Sequence, residues 1–170
     1  MNKFFIFLFI WCVLSAAYVA RPLEIPIGWQ KRGEATTVLF GFALYRGILY
    51  TQSAKVFDKN SKYALSLEYL REFKATTLVK ATVKEIRRTE GLSAEDFEDL
   101  KFELMQCFVN VKAGDRITAI ARNANKINIF YNGTKRCDLE RTNIRNQFFG
   151  IWLGDKTRDA KGSARLKGTP

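Results

Sequence analysis

Short strand patterns joined by tight turns fill much of the second half of this 170-residue chain and restrict its fold. After the turn residues Gly114 and Asp115 come two apolar-polar alternations, "RITAIA" and "INIFY", and then a third strand pattern at 135–139. Asn132-Gly133 separates the last two patterns, and this dipeptide is typical of two-residue hairpin turns. Because strands joined by such turns pair antiparallel, the sequence predicts an antiparallel sheet.

Two earlier segments add strands to this sheet. Residues 36–50, "TTVLFGFALYRGILY", are interpreted as a long strand or a strand pair, with a bend at Arg46 and Gly47. One face of this segment is small in its middle, which permits close approach of a helix or, less often, of a ligand. The two faces carry Val38, Phe40, Phe42 and Leu44, and Leu39, Gly41, Ala43 and Tyr45. In the strand predicted at 62–70, one face carries Tyr63, Leu65, Leu67 and Tyr69.

Two stretches between the strands have apolar residues at the three- and four-residue spacing of an α-helix. Ser93 begins the second of them, and Asp96 three residues later makes a weaker form of the capping box. A short last helix is predicted with Thr142 as its cap and Gly150 as its end. The apolar stripes of the first two helices consist of Leu78, Val79, Thr82, Val83 and Ile86, and of Phe97, Leu100, Leu104 and Phe108.

The segment "FFGIWLG" at 148–154 contains three large aromatic side chains. Such a cluster after an amphipathic helix is typical of a core. Strands and helices together predict an α+β fold, in which a large antiparallel sheet carries a layer of helices on one face.

The N-terminal segment has the pattern of a secretory signal peptide. Lys3 is positively charged, residues 4–14 are apolar, and residues 15–17 are small. We expect a signal peptide at 1–17, with cleavage after Ala20 as the alternative, and therefore an exported protein, periplasmic or secreted. An uncleaved anchor is the competing interpretation, but the apolar run is shorter than the roughly 20 residues that span a bilayer.

The chain contains no histidine, which excludes Ser-His-Asp and Cys-His catalytic sites. With only Cys107 and Cys137 beyond the predicted signal peptide, the sequence indicates no metal site and no cofactor. An exported chain meets oxidising conditions, so a disulfide between these cysteines is permitted. The sequence leaves open whether they form that disulfide or remain two buried thiols.

The formal net charge of +11 is spread over predicted helix faces, loops and the C-terminal tail. No basic stripe alternates with exposed aromatic residues, as single-stranded nucleic-acid binding requires, so we expect no nucleic-acid partner. A basic surface of this kind is expected to make loose contact with an anionic membrane surface or with other acidic polymers.

Four motifs in order, "YALSLEYLREFKATTLVKATVKEIRR", "VKAGDRITAIA", "IFYNG" and "FFGIWLGDKT", make the chain resemble the exported bacterial chalcone isomerase-like proteins. The resemblance implies an open-faced β-sandwich, that is, a large antiparallel sheet with helices on one face. It implies one chalcone isomerase-like domain at 21–157, followed at 158–170 by a basic tail that we expect to be flexible.

The resemblance does not extend to the catalytic residues of plant chalcone isomerases. Those enzymes use an arginine early in the first strand region, a threonine shortly before a "GVY"-like segment, and a tyrosine and an asparagine in the first helix region. Here Phe40 falls where the threonine would lie, and the lead-in from Gly33 to Ala35 has no matching arginine. The helix segment "TTLVKATVKEI" contains neither Tyr nor Asn. The resemblance therefore implies a non-enzymatic member.

Relatives of this fold include fatty-acid-binding proteins, which hold the apolar tail between sheet and helices and the carboxylate on an arginine and a tyrosine. The resemblance implies such a pair in Arg71 with Tyr69 or Tyr45. We expect a cavity lined by Gly41, Ala43 and Tyr45, with Arg71 at its mouth. The competing interpretation of Arg71 is a surface or ion-pair residue.

Three functions follow, in decreasing order of support. The first is a non-enzymatic exported protein that binds a fatty acid or similar small amphiphile. The second is a structural or interaction module without a ligand, which a filled interior would favour. The third is an isomerase-like enzyme. The sequence leaves the ligand, the pathway and the oligomeric state open.

Overall fold

A computed structural model describes residues 22–53, 56–91 and 93–169. The predicted signal peptide at 1–17 lies outside the described residues. In the part of the chain that the structure describes, no helix is long and apolar enough to cross a membrane.

Six antiparallel strands form one sheet in which every strand pairs with its neighbours along the chain, in the order β1 to β6. This arrangement confirms the predicted antiparallel sheet. Each connection between β4, β5 and β6 is a tight turn, and Asn132 and Gly133 both have positive φ, 46° and 85°, as the hairpin signal requires. The strands are β1 Gln30–Leu39, β2 Phe42–Thr51, β3 Tyr63–Tyr69, β4 Arg116–Asn123, β5 Lys126–Tyr131 and β6 Thr134–Glu140.

Four helices complete the described fold, and the main core lies between them and one face of the sheet. The predicted face of β3 supplies Tyr63, Leu65, Leu67 and Tyr69 to this core. The α+β architecture with helices on one face is thereby confirmed. The helices are α1 Ala75–Glu90, α2 Ala94–Cys107, α3 Ile144–Leu153 and α4 Ala160–Lys167.

The opposite face of the sheet carries a second, smaller apolar cluster. Ile25 and Trp29, in the lead-in before β1, cover it. The lead-in is a series of turns. The sheet residues of this cluster are Ile48, Tyr50, Ala64 and Ile120, with Phe130 partly buried against them.

The first long segment forms a hairpin whose turn is not where the sequence analysis placed the bend. Phe40 and Gly41 make the turn, with φ of 50° and 79°. Gly47 lies inside β2, paired with Ala35 and Leu67, so the bend predicted at Arg46 and Gly47 is wrong. The alternation in this segment was correct for a strand but did not show where one strand ended and the next began.

Two predictions about helix ends have opposite outcomes. The Ser93 cap of α2 is confirmed, because its side chain accepts a hydrogen bond from the Asp96 backbone N–H. The end predicted for α3 at Gly150 is wrong, because the helix continues to Leu153 and Gly154 follows it. Its cap position is occupied by Asn143 rather than Thr142. Phe148 and Phe149 are buried in the main core, as expected for "FFGIWLG".

The basic tail expected to be flexible instead contains α4, which packs against β1. Asp159 caps this helix by accepting a hydrogen bond from the Gly162 backbone N–H. Leu166 is the large apolar side chain that α4 places in the main core. The prediction was wrong because a helix with so narrow an apolar face gives little periodic signal.

Cys107 and Cys137 form a disulfide with a Cα–Cα distance of 5.3 Å. The sequence analysis had left this pairing open. The bond joins the last residue of α2 to the middle of β6, an edge strand of the sheet. It therefore ties the helix layer to the sheet across 30 residues of chain.

We expect reduction of this disulfide to lower the free energy of unfolding by about 2–4 kcal/mol, because the cross-link restricts the unfolded chain. Urea unfolding with and without dithiothreitol measures the change. A Cys107→Ser/Cys137→Ser double variant is the matched control. Its urea midpoint should equal that of the reduced wild type and should not change when dithiothreitol is added. An unchanged urea midpoint for the reduced wild type would contradict the prediction.

Asp115 connects the loop before β4 to the β5–β6 hairpin. The Asn132 side-chain amide donates to its Oδ1 over 3.0 Å, and the Lys112 backbone N–H and the Tyr131 hydroxyl each donate to Oδ2 over 2.9 Å. These donors, with Asn132 contributing most, hold the pKa of Asp115 below its usual range. The turn at Gly114-Asp115 and the hairpin turn at Asn132-Gly133 are thus linked through hydrogen bonds to one carboxylate.

Because the folded-state pKa of Asp115 is lower than the unfolded value of about 3.9, its stabilisation is complete above that value and is lost as pH falls through the folded-state pKa. Asp115→Asn should therefore be less stable than wild type at neutral pH and lose less stability on acidification. Urea unfolding across the acid range tests this. Asp99→Asn, a change on the exposed face of α2, controls for loss of a surface carboxylate. Parallel acid limbs for Asp115→Asn and wild type would refute the assignment.

Candidate functional site

The structure does not gather the five predicted ligand-binding residues into one cavity. Gly41 forms the β1–β2 turn, and a side chain added there would meet nothing within 4 Å. Ala43 follows the turn and is exposed. Both therefore lie outside the space between sheet and helices, because the predicted small face is at the projecting end of the hairpin.

Tyr45, Tyr69 and Arg71 lie closer to one another but do not form the expected anchor. The rings of Tyr45 and Tyr69 are neighbours on the helix-covered face, with centroids 6.0 Å apart. Arg71 is exposed, and its guanidinium carbon lies 4.5 Å above the ring of Phe42. Arg71 is thus at the base of the hairpin, and its proposed role as a carboxylate anchor remains a prediction.

A narrow crevice does lie beside Tyr45, between the β1–β2 hairpin and α3 and α4. Its volume is about 20 Å³, roughly the space of one water molecule. The Trp152 indole N–H donates to the Tyr45 hydroxyl over 2.9 Å. Ser163, also in the lining, is 4% exposed, and its hydroxyl oxygen has no hydrogen-bond partner among the described residues. The crevice therefore offers polar hydrogen-bonding groups but no room for an apolar tail.

The crevice is covered by α4, which is held on β1 by close backbone packing. The Arg32 side-chain Nε donates to the Lys167 carbonyl over 2.8 Å. A side chain at Gly33 would overlap the carbonyl oxygen of Arg165 and crowd that of Leu166, so only glycine allows the approach. Leu166 is the one large apolar side chain among the buried residues of α4, so apolar burial holds this helix only weakly. The position of α4 over the crevice therefore depends on its backbone contact with Gly33.

A wider cleft of about 260 Å³ lies at the other end of the sheet, between the C-terminal end of α1, helix α3 and the loop before β3. Its apolar wall consists of Tyr63, Phe149 and Leu153. The Tyr63 and Phe149 rings meet edge to face with centroids 4.9 Å apart. The polar lining is formed by Lys59, Thr89, Glu90, Asn143, Asn146, Asp155 and Lys156.

Hydrogen bonds fix both rims of this cleft. The Lys156 ammonium group donates to the Thr89 carbonyl over 2.7 Å and joins the end of α1 to the chain after α3. On the other rim, the Arg145 guanidinium donates to the Asn60 backbone carbonyl over 3.0 Å and to its side-chain oxygen over 3.2 Å. The cleft is therefore preformed, with an amphipathic lining held in place from both sides.

Gly150 is the cleft residue that the sequence analysis misinterpreted. It is interior to α3, it is not among the glycines with positive φ, and a side chain built on it meets nothing within 4 Å. Neither the backbone nor close packing requires glycine there, although glycine in a helix interior costs about 1 kcal/mol relative to alanine. Because Gly150 has no side chain, the space beside it remains part of the cleft.

Burial raises the pKa of Tyr63 well above its ordinary value. Its phenol therefore stays protonated at neutral pH and can donate a hydrogen bond. In the described ranges 22–53, 56–91 and 93–169, no group of three or more Cys, Asp or Glu side chains is arranged to hold a metal ion. The apolar wall and the polar rim together suit the cleft to binding by shape and hydrogen bonds.

A third depression, of about 470 Å³, lies between α2 and the end of β6. It is lined by polar residues, and its Arg141 donates to Glu103 over 2.8 Å and to Asp96 over 3.4 Å. Without an apolar wall, this depression is poorly suited to an amphiphile.

Comparison with known families identifies the domain. The sequence profile described as "Chalcone isomerase-like" matches residues 31–167, which is most of the chain. The chain belongs to the chalcone isomerase-like family. The match includes α4, so the family domain extends beyond the boundary at 157 that the sequence analysis expected.

Structure comparison agrees with the family. This chalcone isomerase-like protein is similar to a fatty-acid binding protein of Arabidopsis thaliana, with a TM-score of 0.68 and 11% sequence identity. The similarity covers 87% of this chain and 91% of the plant protein. At this identity the likeness shows a shared fold. Sequence comparison with curated proteins gave no match.

We expect Gly33→Ala to detach α4 from β1, because the added methyl group overlaps the Arg165 carbonyl oxygen. Hydrogen exchange followed by mass spectrometry should show faster exchange at 160–169, with β3 to β5 unchanged. Gly150→Ala is the matched control, since its added methyl group meets open space. Equal protection of α4 in Gly33→Ala and wild type would show that this contact does not hold the cover.

Proposed function

We propose that this chalcone isomerase-like protein is a non-enzymatic, exported binder of a small amphiphile of the fatty-acid class. The family and the shared fold with a plant fatty-acid binding protein support the ligand class. The Cys107–Cys137 disulfide supports export, because disulfides persist in oxidising compartments. The departure from the plant isomerases' catalytic pattern, with Phe40 where their threonine would lie and neither tyrosine nor asparagine in "TTLVKATVKEI", supports binding without that catalysis.

The position of Gly150 is the observation that most supports the α1–α3 cleft as the binding site. Its side-chain position opens into the cleft beside the apolar wall of Phe149 and Leu153. The polar rim, with Lys59 and Asn146, would face the head group, while the wall would contact the tail. A volume of about 260 Å³ lies just below the roughly 300–1,000 Å³ of ordinary ligand sites, which favours a short or medium chain.

The small crevice beside Tyr45 is a second candidate site for the same function. The buried, unpartnered Ser163 hydroxyl favours it, because such groups are costly unless something satisfies them. Its volume of about 20 Å³ means that a tail could enter only if α4 moved off β1. The same filled interior supports the alternative function, an interaction module without a ligand, if neither space takes up an amphiphile.

Two glycine substitutions distinguish the sites. Gly150→Leu should fill the α1–α3 cleft and abolish binding, while replacement of a helix-interior glycine adds about 0.5–1 kcal/mol to stability. Gly47→Ala is the matched control in the crevice, where the new methyl group would make ordinary contacts of 3.5 Å with Leu67 and 3.6 Å with Leu166. Decanoic acid is the probe, and isothermal titration calorimetry measures its affinity.

Loss of binding in Gly150→Leu alone supports the cleft, and loss in Gly47→Ala alone places the ligand in the crevice. Thermal unfolding of both variants checks that each remains folded. If wild-type protein takes up no decanoate, and native mass spectrometry of protein from its own host shows no bound amphiphile, the binding proposal fails. The interaction module then becomes the better explanation.

A further inference from the structure

The β1–β2 hairpin projects beyond the rest of the sheet. The last register pair between β2 and β3 is Tyr45 with Tyr69, whereas pairing between β1 and β2 continues to Leu39 and Phe42. At a rise of about 3.3 Å per residue, the hairpin extends on the order of 10 Å past the end of β3. We call residues 38–42 the hairpin tip.

The hairpin tip exposes four apolar side chains, those of Val38, Leu39, Phe40 and Phe42. Phe40 is 89% exposed at the apex. It also has φ of 50°, in the left-handed region where asparagine or glycine is favoured in a two-residue hairpin turn. Neither the turn geometry nor solubility accounts for a phenylalanine here, so its presence points to a function of the exposed ring.

Basic side chains lie at the end of the sheet from which the hairpin tip projects. The guanidinium of Arg71 lies 4.5 Å from the centroid of the Phe42 ring. Lys74 and Lys112 are exposed on the two loops at the same end of the sheet, where the exposed carboxylates are those of Glu72 and, in the lining of the crevice, Asp159. The whole chain is also strongly basic, at +11. An apolar apex above a cationic base is complementary to an anionic bilayer, with acyl chains below its phosphate groups.

We propose that the hairpin tip docks this protein on anionic membranes. Its four apolar side chains enter the boundary between head groups and acyl chains, and Arg71 remains at the level of the phosphates. A stable protein interface buries about 800 Å² of total surface per partner, which is more than the five residues of the tip expose, so a protein partner would need further surface, whereas insertion into a bilayer needs the tip alone. The inference is independent of any ligand in the cleft or crevice.

Vesicle co-sedimentation tests the proposal. Wild-type protein should bind vesicles of phosphatidylglycerol and phosphatidylethanolamine, and should bind phosphatidylcholine vesicles much less. Phe40→Asn should weaken binding to the anionic vesicles by about ten-fold or more, as expected for loss of one buried phenylalanine. Asparagine suits the turn conformation, so thermal stability should be retained or increased. Every variant is produced in the same way, so residues 1–21 contribute equally to all of them.

Phe102→Gln is the matched control, because it removes an exposed phenylalanine, 68% accessible, from α2. It should bind vesicles as wild type does. A second measurement uses Phe40→Trp as a reporter of insertion. Its fluorescence should shift to shorter wavelength on anionic vesicles and be quenched by brominated acyl chains, relative to wild type with its own tryptophans.

Three results would overturn the proposal. One is wild-type protein that does not bind the anionic vesicles. Another is Phe40→Asn with unchanged vesicle affinity, or Phe40→Trp without quenching by brominated lipid. The third is a lipid-free dimer, seen by analytical ultracentrifugation, that Phe40→Asn abolishes while vesicle binding persists. That result would assign the hairpin tip to contact with a second copy of the chain.

Discussion

The edge-to-face contact between Tyr63 of β3 and Phe149 of α3 joins the sheet to the helix layer and is fully shielded from solvent. Both side chains are about 1% exposed. Phe57, in the loop before β3, packs on the other side of Tyr63, and Phe148 packs on Phe149. Because the helices cover one face of the sheet, this aromatic chain positions α3 and the loop together. The same two rings, together with Leu153, form the apolar wall of the cleft, so one contact contributes both to core stability and to the shape of the ligand space.

Sequence patterns predicted the elements whose signals are local. The period-two face of β3, the Asn132-Gly133 turn and the Ser93 cap each depend on residues within one element, and each is confirmed. Long-range pairings had no such signal. The Cys107–Cys137 bond depends on how α2 lies across β6, and α4 depends on a glycine far away in β1. Phe40 gives no turn signal for a different reason, because phenylalanine seldom occupies the left-handed position of a turn.

The candidate site was harder to predict than the fold, because alternation gives the face of a strand but not the position along it that a ligand would meet. Ala43 lies on the same face of β2 as Tyr45, as predicted, but Gly41 is in the turn rather than on a strand face, and both lie where the hairpin has left the helix layer. Gly150, in contrast, was not predicted to line a site but does line the cleft. Glycine at the apparent end of a helix suggested a cap, and only the continued helix shows that it serves no backbone need. A residue that is locally unfavourable and sterically unnecessary is more informative than one that fits its element.

The two ends of β3 separate two kinds of surface, and this separation constrains how a ligand would reach the protein. The cleft lies at Tyr63 and the hairpin tip beyond Tyr69, so about 20 Å of strand lies between them at the usual rise per residue. A molecule seated on a bilayer by its hairpin tip would hold the cleft away from the lipid, and an amphiphile in the cleft would have to arrive through water. The crevice beside Tyr45 is at the membrane-facing end, under α4. Medium-chain amphiphiles, which are soluble as monomers, suit arrival at the cleft through water. Long-chain lipids would have to enter the crevice directly from the membrane, and this entry requires the release of α4 from Gly33.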